Sequence, residues 1–227
     1  PIPSRGLGDV YKRQEVNSKN DDVLKILSDF LQKFPNSIYY KEIEDLTLKF
    51  YFNSKNYKKI YENLLAKNNL SDYERKQFYK SALQLAIQSY NTKDFKKAIV
   101  FLEESKSSED IIISYLSKYW LADSYYHINN FKQSIYHFNE IKMLSFAGFE
   151  EFHEKTYYNL GYNYTKLGDF LNSEKEFKLF IAKSRDEKRK VDATLRLADA
   201  IFMQKKYSLA SSYYSNFSST SDFDVDY

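Results

Sequence analysis

A segment centred on an aromatic residue recurs five times along this 227-residue chain. The copies are NSKNYKKIYENL, NTKDFKKAIVFL, INNFKQSIYHF, KLGDFLNSEKEF and MQKKYSLASSYY. Their aromatic residues are Tyr57, Phe95, Phe131, Phe170 and Tyr207, at successive spacings of 38, 36, 39 and 37 residues. A period this regular indicates a repeat array, in which one small structural unit is stacked several times.

Each copy predicts a hairpin of two helices. Three residues after the aromatic come Ile60, Ala98, Ser134, Ser173 and Ala210, and seven after it come Leu64, Leu102, Phe138, Phe177 and Tyr214. These offsets place one stripe on one face of a second helix. Nine residues before the aromatic, on a first helix, come the mostly small Leu48, Ala86, Ala122, Gly161 and Ala198. A small side chain there would let the two helices pack closely.

The turn between the two helices also has a signature. Four copies place Asn or Asp directly before the aromatic, where we expect an N-cap, and the fifth has Lys206 instead. In the fourth copy Gly168 follows the first helix, a position where a left-handed backbone is common. Only 5 Gly and 3 Pro occur in the whole chain, which favours helices over short strands and turns.

The fourth copy resembles the tetratricopeptide repeat (TPR) family. The stretch YYNLGYNYTKLGDFLNSEKEF has the residues that the family pattern requires, namely Tyr157, Leu160, Gly161, Tyr164, Gly168, Asp169, Phe170, Ser173 and Phe177. The third and fifth copies match less fully and the first two least, with bulky Leu48 and Ile60 and a period above the family's usual length of about 34 residues. The resemblance implies an all-α, right-handed solenoid of stacked helix–turn–helix repeats.

We predict three regions along the chain. A disordered or artefactual tail covers residues 1–19, since residues 1–14 resemble a translated sequencing adapter, and 219–227 are expected to be the truncated start of a further repeat of a longer protein. The solenoid is expected over 20–218. Its predicted parts are a leading helix over 21–34 and repeats over about 38–68, 72–106, 111–143, 150–184 and 188–218.

No enzyme signature is visible in the sequence. Cysteine is absent, and the three histidines form no close ligand pair, so that His127 and His137 are expected to be solvated or packing residues. The carboxylates have no partner across a recognisable cleft, and there is neither a G-x-S-x-G elbow nor a phosphate-binding loop. We therefore predict no catalytic residue, no cofactor and no metal site.

Binding to nucleic acid or direct insertion into a membrane is not expected either. The net charge is only +3, and the basic run KSRDEKRK over 183–190 is interrupted by Asp186 and Glu187 and is predicted to be a solvated loop between repeats. No apolar run approaches the length of a membrane-spanning helix.

The TPR resemblance implies a concave groove lined by the first helices. The candidate partner-binding residues there are Tyr90, Asn91, Tyr119, Asp123, Tyr126, Tyr158, Tyr162, Lys166, Asp199 and Phe202, and the same register adds Asp45 and Lys49. Tyrosine rings suit the binding of a peptide or partner protein, because they bury large area at little entropic cost. The alternative for each residue is that it only packs the superhelix. The family's carboxylate clamp is disfavoured, because Tyr119 and Asp123 replace the required Lys and Asn.

The expected function is a non-catalytic protein–protein interaction scaffold. The stretches YWLADSYY and LRLADAIF are similar to repeats of bacterial cell-envelope proteins, so a role in envelope assembly and a periplasmic or outer-membrane-associated location are favoured over the cytoplasm. The alternative is a regulatory TPR array of a larger signalling or transcription protein whose effector domain is missing. The identity of the partner and the oligomeric state stay open.

Overall fold

The computed structural model describes residues 22–144 and 147–218, and all regular secondary structure in these ranges is helical. The helices are α1 (22–33), α2 (Tyr40–Asn53), α3 (Tyr57–Leu65), α4 (Asp72–Asn91), α5 (Phe95–Ser105), α6 (Ile111–His127), α7 (Phe131–Lys142), α8 (Glu150–Lys166), α9 (Phe170–Lys183), α10 (Glu187–Met203) and α11 (Tyr207–Ser218). The all-α prediction is confirmed. The predicted tail over 1–19 and the predicted further repeat over 219–227 lie outside the described residues.

The described residues form two compact units, one that ends at Leu85 and one that begins at Ala86. In the first unit, Leu48, Ile60, Leu64 and Phe78 form a buried cluster. The ring of Tyr61 stacks on Phe78 with centroids 5.1 Å apart. The bulky residues that weakened the TPR pattern here are therefore core residues of this unit.

In the second unit the predicted second-helix stripe is buried. Residues three positions after the aromatic are 0–1% exposed, and Leu102, Phe138 and Phe177, seven positions after it, are 0% exposed. Two further clusters extend this core, one around Tyr115 and Phe138 and the other around Phe177 and Leu197. These residues thus lie in the core, as the spacing predicts, and Tyr214, seven positions after the last aromatic, is partly buried against it.

Gly161 lies where α8 and α9 approach closely. A Cβ atom built on Gly161 would lie 2.7–2.8 Å from three carbon atoms of the Phe177 ring. Real Cβ atoms do not come this close to a neighbour, so the ring occupies the volume that any side chain would need. The predicted reason for a glycine in mid-helix is confirmed.

All five hairpin turns have the same backbone geometry. The residue before the N-cap has a positive φ in every copy, with values of 57°, 62°, 60°, 74° and 63° at Lys55, Lys93, Asn129, Gly168 and Lys205. Its N–H bonds back to the first helix, and the next N–H bonds to a carbonyl five residues earlier, as in Asp169 N to Tyr164 O at 2.9 Å. This is the Schellman motif. Gly168 is the only glycine among the five turns, and three turns use lysine.

The residue after the positive-φ position closes the first helix with its backbone N–H, and in four copies its side chain also caps the second helix. The side chains of Asn56, Asp94, Asn130 and Asp169 accept hydrogen bonds from the backbone N–H three residues later, at 3.1–3.4 Å. The four predicted N-caps are therefore confirmed.

The predicted loop over 183–190 is wrong for most of its length. Lys183 ends α9, Glu187 begins α10, and only residues 184–186 connect them. Asp186 starts α10 early because its carboxylate accepts the backbone N–H of Arg189 at 3.0 Å and the guanidinium of the same residue at 2.6 Å. The acidic residue that interrupts the basic run is thus a helix cap.

We expect Gly161→Leu to lower the free energy of unfolding by about 1–3 kcal/mol, because the new side chain must displace the Phe177 ring from a fully packed core. Urea unfolding measures the change. Lys166→Leu, at an exposed position of the same helix, controls for leucine itself. An unchanged stability of the Gly161 variant would contradict the close-packing assignment.

We expect Lys93→Gly to raise the free energy of unfolding by about 0.5–1 kcal/mol, because glycine adopts a positive φ without the steric cost that a Cβ brings. The matched control is Lys96→Gly inside α5, which should lower stability by about 1 kcal/mol. Urea unfolding measures the free energy of unfolding of both variants. A loss of stability in the Lys93 variant would contradict a steric cost of the positive φ at this position.

Candidate partner-binding face

The predicted groove residues of the second unit lie on the first helices of successive hairpins. Four of them, Asp123, Tyr126, Tyr158 and Tyr162, line one cavity of about 240 Å³ together with His127 and Asn159. We call it the α6–α8 cavity, because α6 and α8 supply all of its walls. The structure therefore brings together four residues that the sequence placed on different repeats.

Asp123 is the acidic group of the α6–α8 cavity. Its carboxylate accepts a hydrogen bond from the Tyr90 hydroxyl, and His127 Nε2 lies 3.5 Å away. The Tyr90 ring packs on Trp120 and Phe95, with centroids 4.8 and 5.2 Å apart. Burial raises the pKa of the Asp123 carboxyl above its usual range. Burial and the neighbouring carboxylate also raise the pKa of Tyr90, which therefore keeps its proton and serves as a donor.

His127, at the rim of the same cavity, has an orientation set by packing. Its ring stacks on Phe95 with centroids 4.3 Å apart and an angle of 9° between the planes. The Tyr90 hydroxyl lies 3.2 Å from its Nε2 atom. This agrees with the prediction of a packing histidine. The buried His137 is similar, since it stacks on Tyr125 and its Nδ1 atom lies 2.8 Å from Glu140.

On the other wall, Tyr158 and Tyr162 share one acceptor. Both hydroxyls donate to Oδ2 of Asp192 on α10, at 2.7 and 2.5 Å. The two rings lie 5.0 Å apart at 64°. Because the acceptor is on the next first helix, this pair links α8 to α10 and holds both rings in place.

The network continues through Arg196 to α11. Arg196 donates to the Tyr162 hydroxyl at 3.3 Å and to Asp199 at 3.0 Å, and the Tyr214 hydroxyl donates to Asp199 at 2.7 Å. Burial alone would lower the pKa of Arg196, but the hydrogen bond to Tyr162 and the nearby Asp192 and Asp199 raise it. Burial and the bond to Asp199 raise the pKa of Tyr214 to about 12. Asp199 is thus engaged inside the protein.

The remaining predicted residues lie outside the cavity. Tyr119 is only 6% exposed and its ring packs against Phe138 and Phe152, so it belongs to the core instead of an open groove. Phe202 packs on Tyr207 with centroids 5.2 Å apart and stays 49% exposed. Asn91 and Lys166 are exposed final residues of α4 and α8. Asp45 and Lys49 belong to the first unit.

Sequence reasoning missed Asp192 and Arg196 as parts of this face. A signal was present, because the hydrogen-bonded pairs are about one repeat apart. Tyr90 and Asp123 are separated by 33 residues, and Tyr158 and Asp192 by 34. Tyr162 and Arg196 are also 34 apart. Polar residues at this offset on neighbouring first helices predict such pairs.

Within residues 22–144 and 147–218, no group of three or more His, Cys, Asp or Glu residues could hold a metal ion. In the same ranges no helix combines the length and apolar character needed to cross a membrane.

No family model matches the sequence, and no curated protein matches it closely. Solved structures do match. One is the MamA RS-1 ArsTM double mutant, with a TM-score of 0.52, 12% identity, and coverage of 89% of this chain and 98% of that one. The second is a putative kinesin light chain from Podosopora anserina with nearly identical TPR-like repeats, with a TM-score of 0.54, 12% identity, and coverage of 89% and 94%.

This chain has a TPR-like fold. The predicted class, an all-α solenoid of TPR-like repeats, is therefore confirmed. At 12% identity the similarity concerns the fold alone. The TPR-like architecture indicates where the first helices form a face, and the chemistry of the side chains there determines which ligand could bind.

We expect Tyr158→Phe and Tyr162→Phe each to lower the free energy of unfolding by about 1 kcal/mol, since each removes one hydrogen bond to a carboxylate. The double variant should cost more than the sum, because Asp192 then loses both hydroxyl donors. Urea unfolding of the wild type, the two single variants and the double variant gives the coupling free energy between Tyr158 and Tyr162. Tyr136→Phe, on an exposed ring of α7, is the control, and strict additivity would contradict the shared acceptor.

Proposed function

We propose that this TPR-like chain is a non-catalytic scaffold that binds a segment of a partner protein on the face around the α6–α8 cavity. The observation that carries the proposal is the convergence of Tyr126, Tyr158 and Tyr162 with polar groups of α6 and α8 in one cavity. Aromatic rings beside a few placed polar groups are the usual composition of a recognition pocket.

The rigidity of the cavity walls supports this role. Tyr158 and Tyr162 are fixed by Asp192, and Asn159 donates from its amide to the Tyr119 hydroxyl at 3.4 Å. Side chains that are already ordered lose little conformational entropy when a partner arrives. The surface is therefore preorganised for binding before any ligand is present.

The acidic groups of the face have a structural role in this proposal. The carboxylate of Asp192 accepts two tyrosine hydroxyls, and that of Asp123 accepts one. The tyrosines have raised pKa values, led by burial, and so act as stable donors instead of proton shuttles. Orientation of aromatic rings is what this arrangement supplies.

For the wider role, we propose envelope assembly with a periplasmic or outer-membrane-associated location. The support is the similarity of YWLADSYY and LRLADAIF to repeats of bacterial envelope proteins. Fractionation of cells that carry a tagged full-length gene tests the location. Recovery of the protein in the cytoplasm, joined to a sensor or DNA-binding domain, would favour the regulatory array instead.

A random-peptide phage library selected on the purified protein tests the scaffold directly. We expect enriched peptides whose affinity, measured by fluorescence polarisation, falls about tenfold or more with Tyr126→Ala, because that change removes one wall of the cavity. Tyr126 is preferred to Tyr158 and Tyr162, whose removal would also break the Asp192 network.

The matched control is Tyr136→Ala on α7, where the ring is 58% exposed and lies outside the cavity. It should leave peptide affinity within about twofold. Thermal melting of both variants checks that they stay folded. The proposal is wrong if no peptide is enriched, or if the enriched peptides bind the Tyr126 variant as well as they bind the wild type.

A further inference from the structure

We propose that the α6–α8 cavity receives a cationic side chain, arginine or lysine, of the partner segment. The inference rests on the proposed function and names the chemistry of the partner at that site. Two aspartates, Asp123 on α6 and Asp199 on α10, occupy equivalent places in two repeats. Each follows the dipeptide Leu-Ala and is placed one residue after the small packing residue of its hairpin.

The two aspartates differ in their charge partners. Three residues before Asp199 is Arg196, whose guanidinium donates to the carboxylate at 3.0 Å. The corresponding residue before Asp123 is Trp120, which carries no charge. Among the residues that the structure describes, the ion-pair partner of Asp123 is His127, at 3.5 Å. The repeat that opens into the α6–α8 cavity therefore lacks the guanidinium that its counterpart has.

A buried carboxylate without a permanently charged partner is costly, because protein atoms replace the water that would solvate its charge. The side chain of Asp123 is only 19% exposed, and burial raises its pKa. The raised pKa means that ionising this carboxyl costs more free energy in the protein than in water. A cation that entered the cavity would offset this cost with a charge-assisted hydrogen bond, as Arg196 does for Asp199.

The other walls suit the same ligand. Tyr126, Tyr158 and Tyr162 line the cavity, and a cation within about 6 Å of an aromatic ring centre is attracted to its face. Asn159 adds an amide oxygen that can accept a guanidinium or ammonium N–H. The carboxylate and the amide oxygen can bind a positively charged group, and the tyrosine rings can contact the apolar part of the same side chain.

The volume of the cavity and the charges around it restrict the class of ligand further. A cavity of about 240 Å³ is smaller than the usual pocket for a drug-sized molecule, which starts at about 300 Å³, and so favours a single side chain. The polar networks of the face contain the carboxylates of Asp123, Asp192 and Asp199, against the guanidinium of Arg196 and the imidazole of His127. This balance attracts a positive group and repels an acidic one.

The probe that tests the inference is Nα-acetyl-arginine amide, titrated into the ¹⁵N-labelled full chain and followed by NMR. Nα-acetyl-citrulline amide is the matched neutral ligand, because it keeps the shape of arginine and removes its charge. We expect saturable shifts of the α6 and α8 residues that line the cavity, with a Kd of about 1 mM for arginine and an affinity at least about tenfold weaker for citrulline.

Asp123→Asn should weaken arginine binding by about tenfold, while its side-chain oxygen can still accept the Tyr90 hydroxyl. The matched control is Asp169→Asn, which removes one negative charge elsewhere on the second unit and keeps an N-cap, because Asn caps as well as Asp. It should leave arginine binding within about twofold. If the Asp123 variant does not fold, the arginine and citrulline titrations of the wild type decide alone.

The inference is overturned if citrulline binds as well as arginine, if Asp123→Asn leaves the affinity unchanged, or if the shifts map away from the cavity. These outcomes leave the scaffold proposal standing where selected peptides still depend on Tyr126. Conversely, arginine binding without any enriched peptide would support the cationic pocket and count against the scaffold. The two failures are therefore distinguishable.

Discussion

The close approach of the two helices in each hairpin is the constraint on which the rest of the second unit depends. Between Gly161 and Phe177 a single methyl group would overlap the ring. Ala86, Ala122 and Ala198 occupy the equivalent place and are 0–1% exposed. The first helices also contribute large side chains to the core, such as Tyr115, Tyr119 and Tyr157. Other aromatic side chains of the same helices line the α6–α8 cavity, so the first helices supply both the core and the cavity.

The partly buried tyrosines of the first helices have two uses. Their hydroxyls bond to carboxylates about one repeat away, as Tyr90 does to Asp123 and Tyr158 to Asp192, and so connect neighbouring first helices. Several of the same rings line the α6–α8 cavity. In a repeat array each unit contacts its neighbours alone, so a bond between first helices adds to the coupling between repeats. The alternatives of packing residue and binding residue therefore do not exclude each other for these tyrosines.

The sequence was sufficient for whatever depends on local spacing. The buried stripe, the N-caps and the roles of Gly161 and Gly168 all follow from offsets within one copy. Two departures from the predictions, the short connection before α10 and the buried Tyr119, depend on context. Asp186 shortened a predicted loop by capping α10, although its basic neighbours had suggested a solvated segment. Tyr119 became a core residue because Phe152 of the next hairpin covers it, a contact that no offset within one copy contains.

The shared turn residue also keeps the hairpin turn at one length, since three residues separate the two helices in all five copies. One residue closes the first helix and caps the second, so the hairpin turn has no room for an extra residue. The connections between hairpins differ in length where the structure describes them completely, over residues 66–71, 106–110 and 184–186. The period of 36 to 39 residues varies through these connections and through the lengths of the helices, while the turn stays constant. Insertions or deletions between hairpins are the route by which such a chain could change the spacing of its first helices while each pair of helices stays intact.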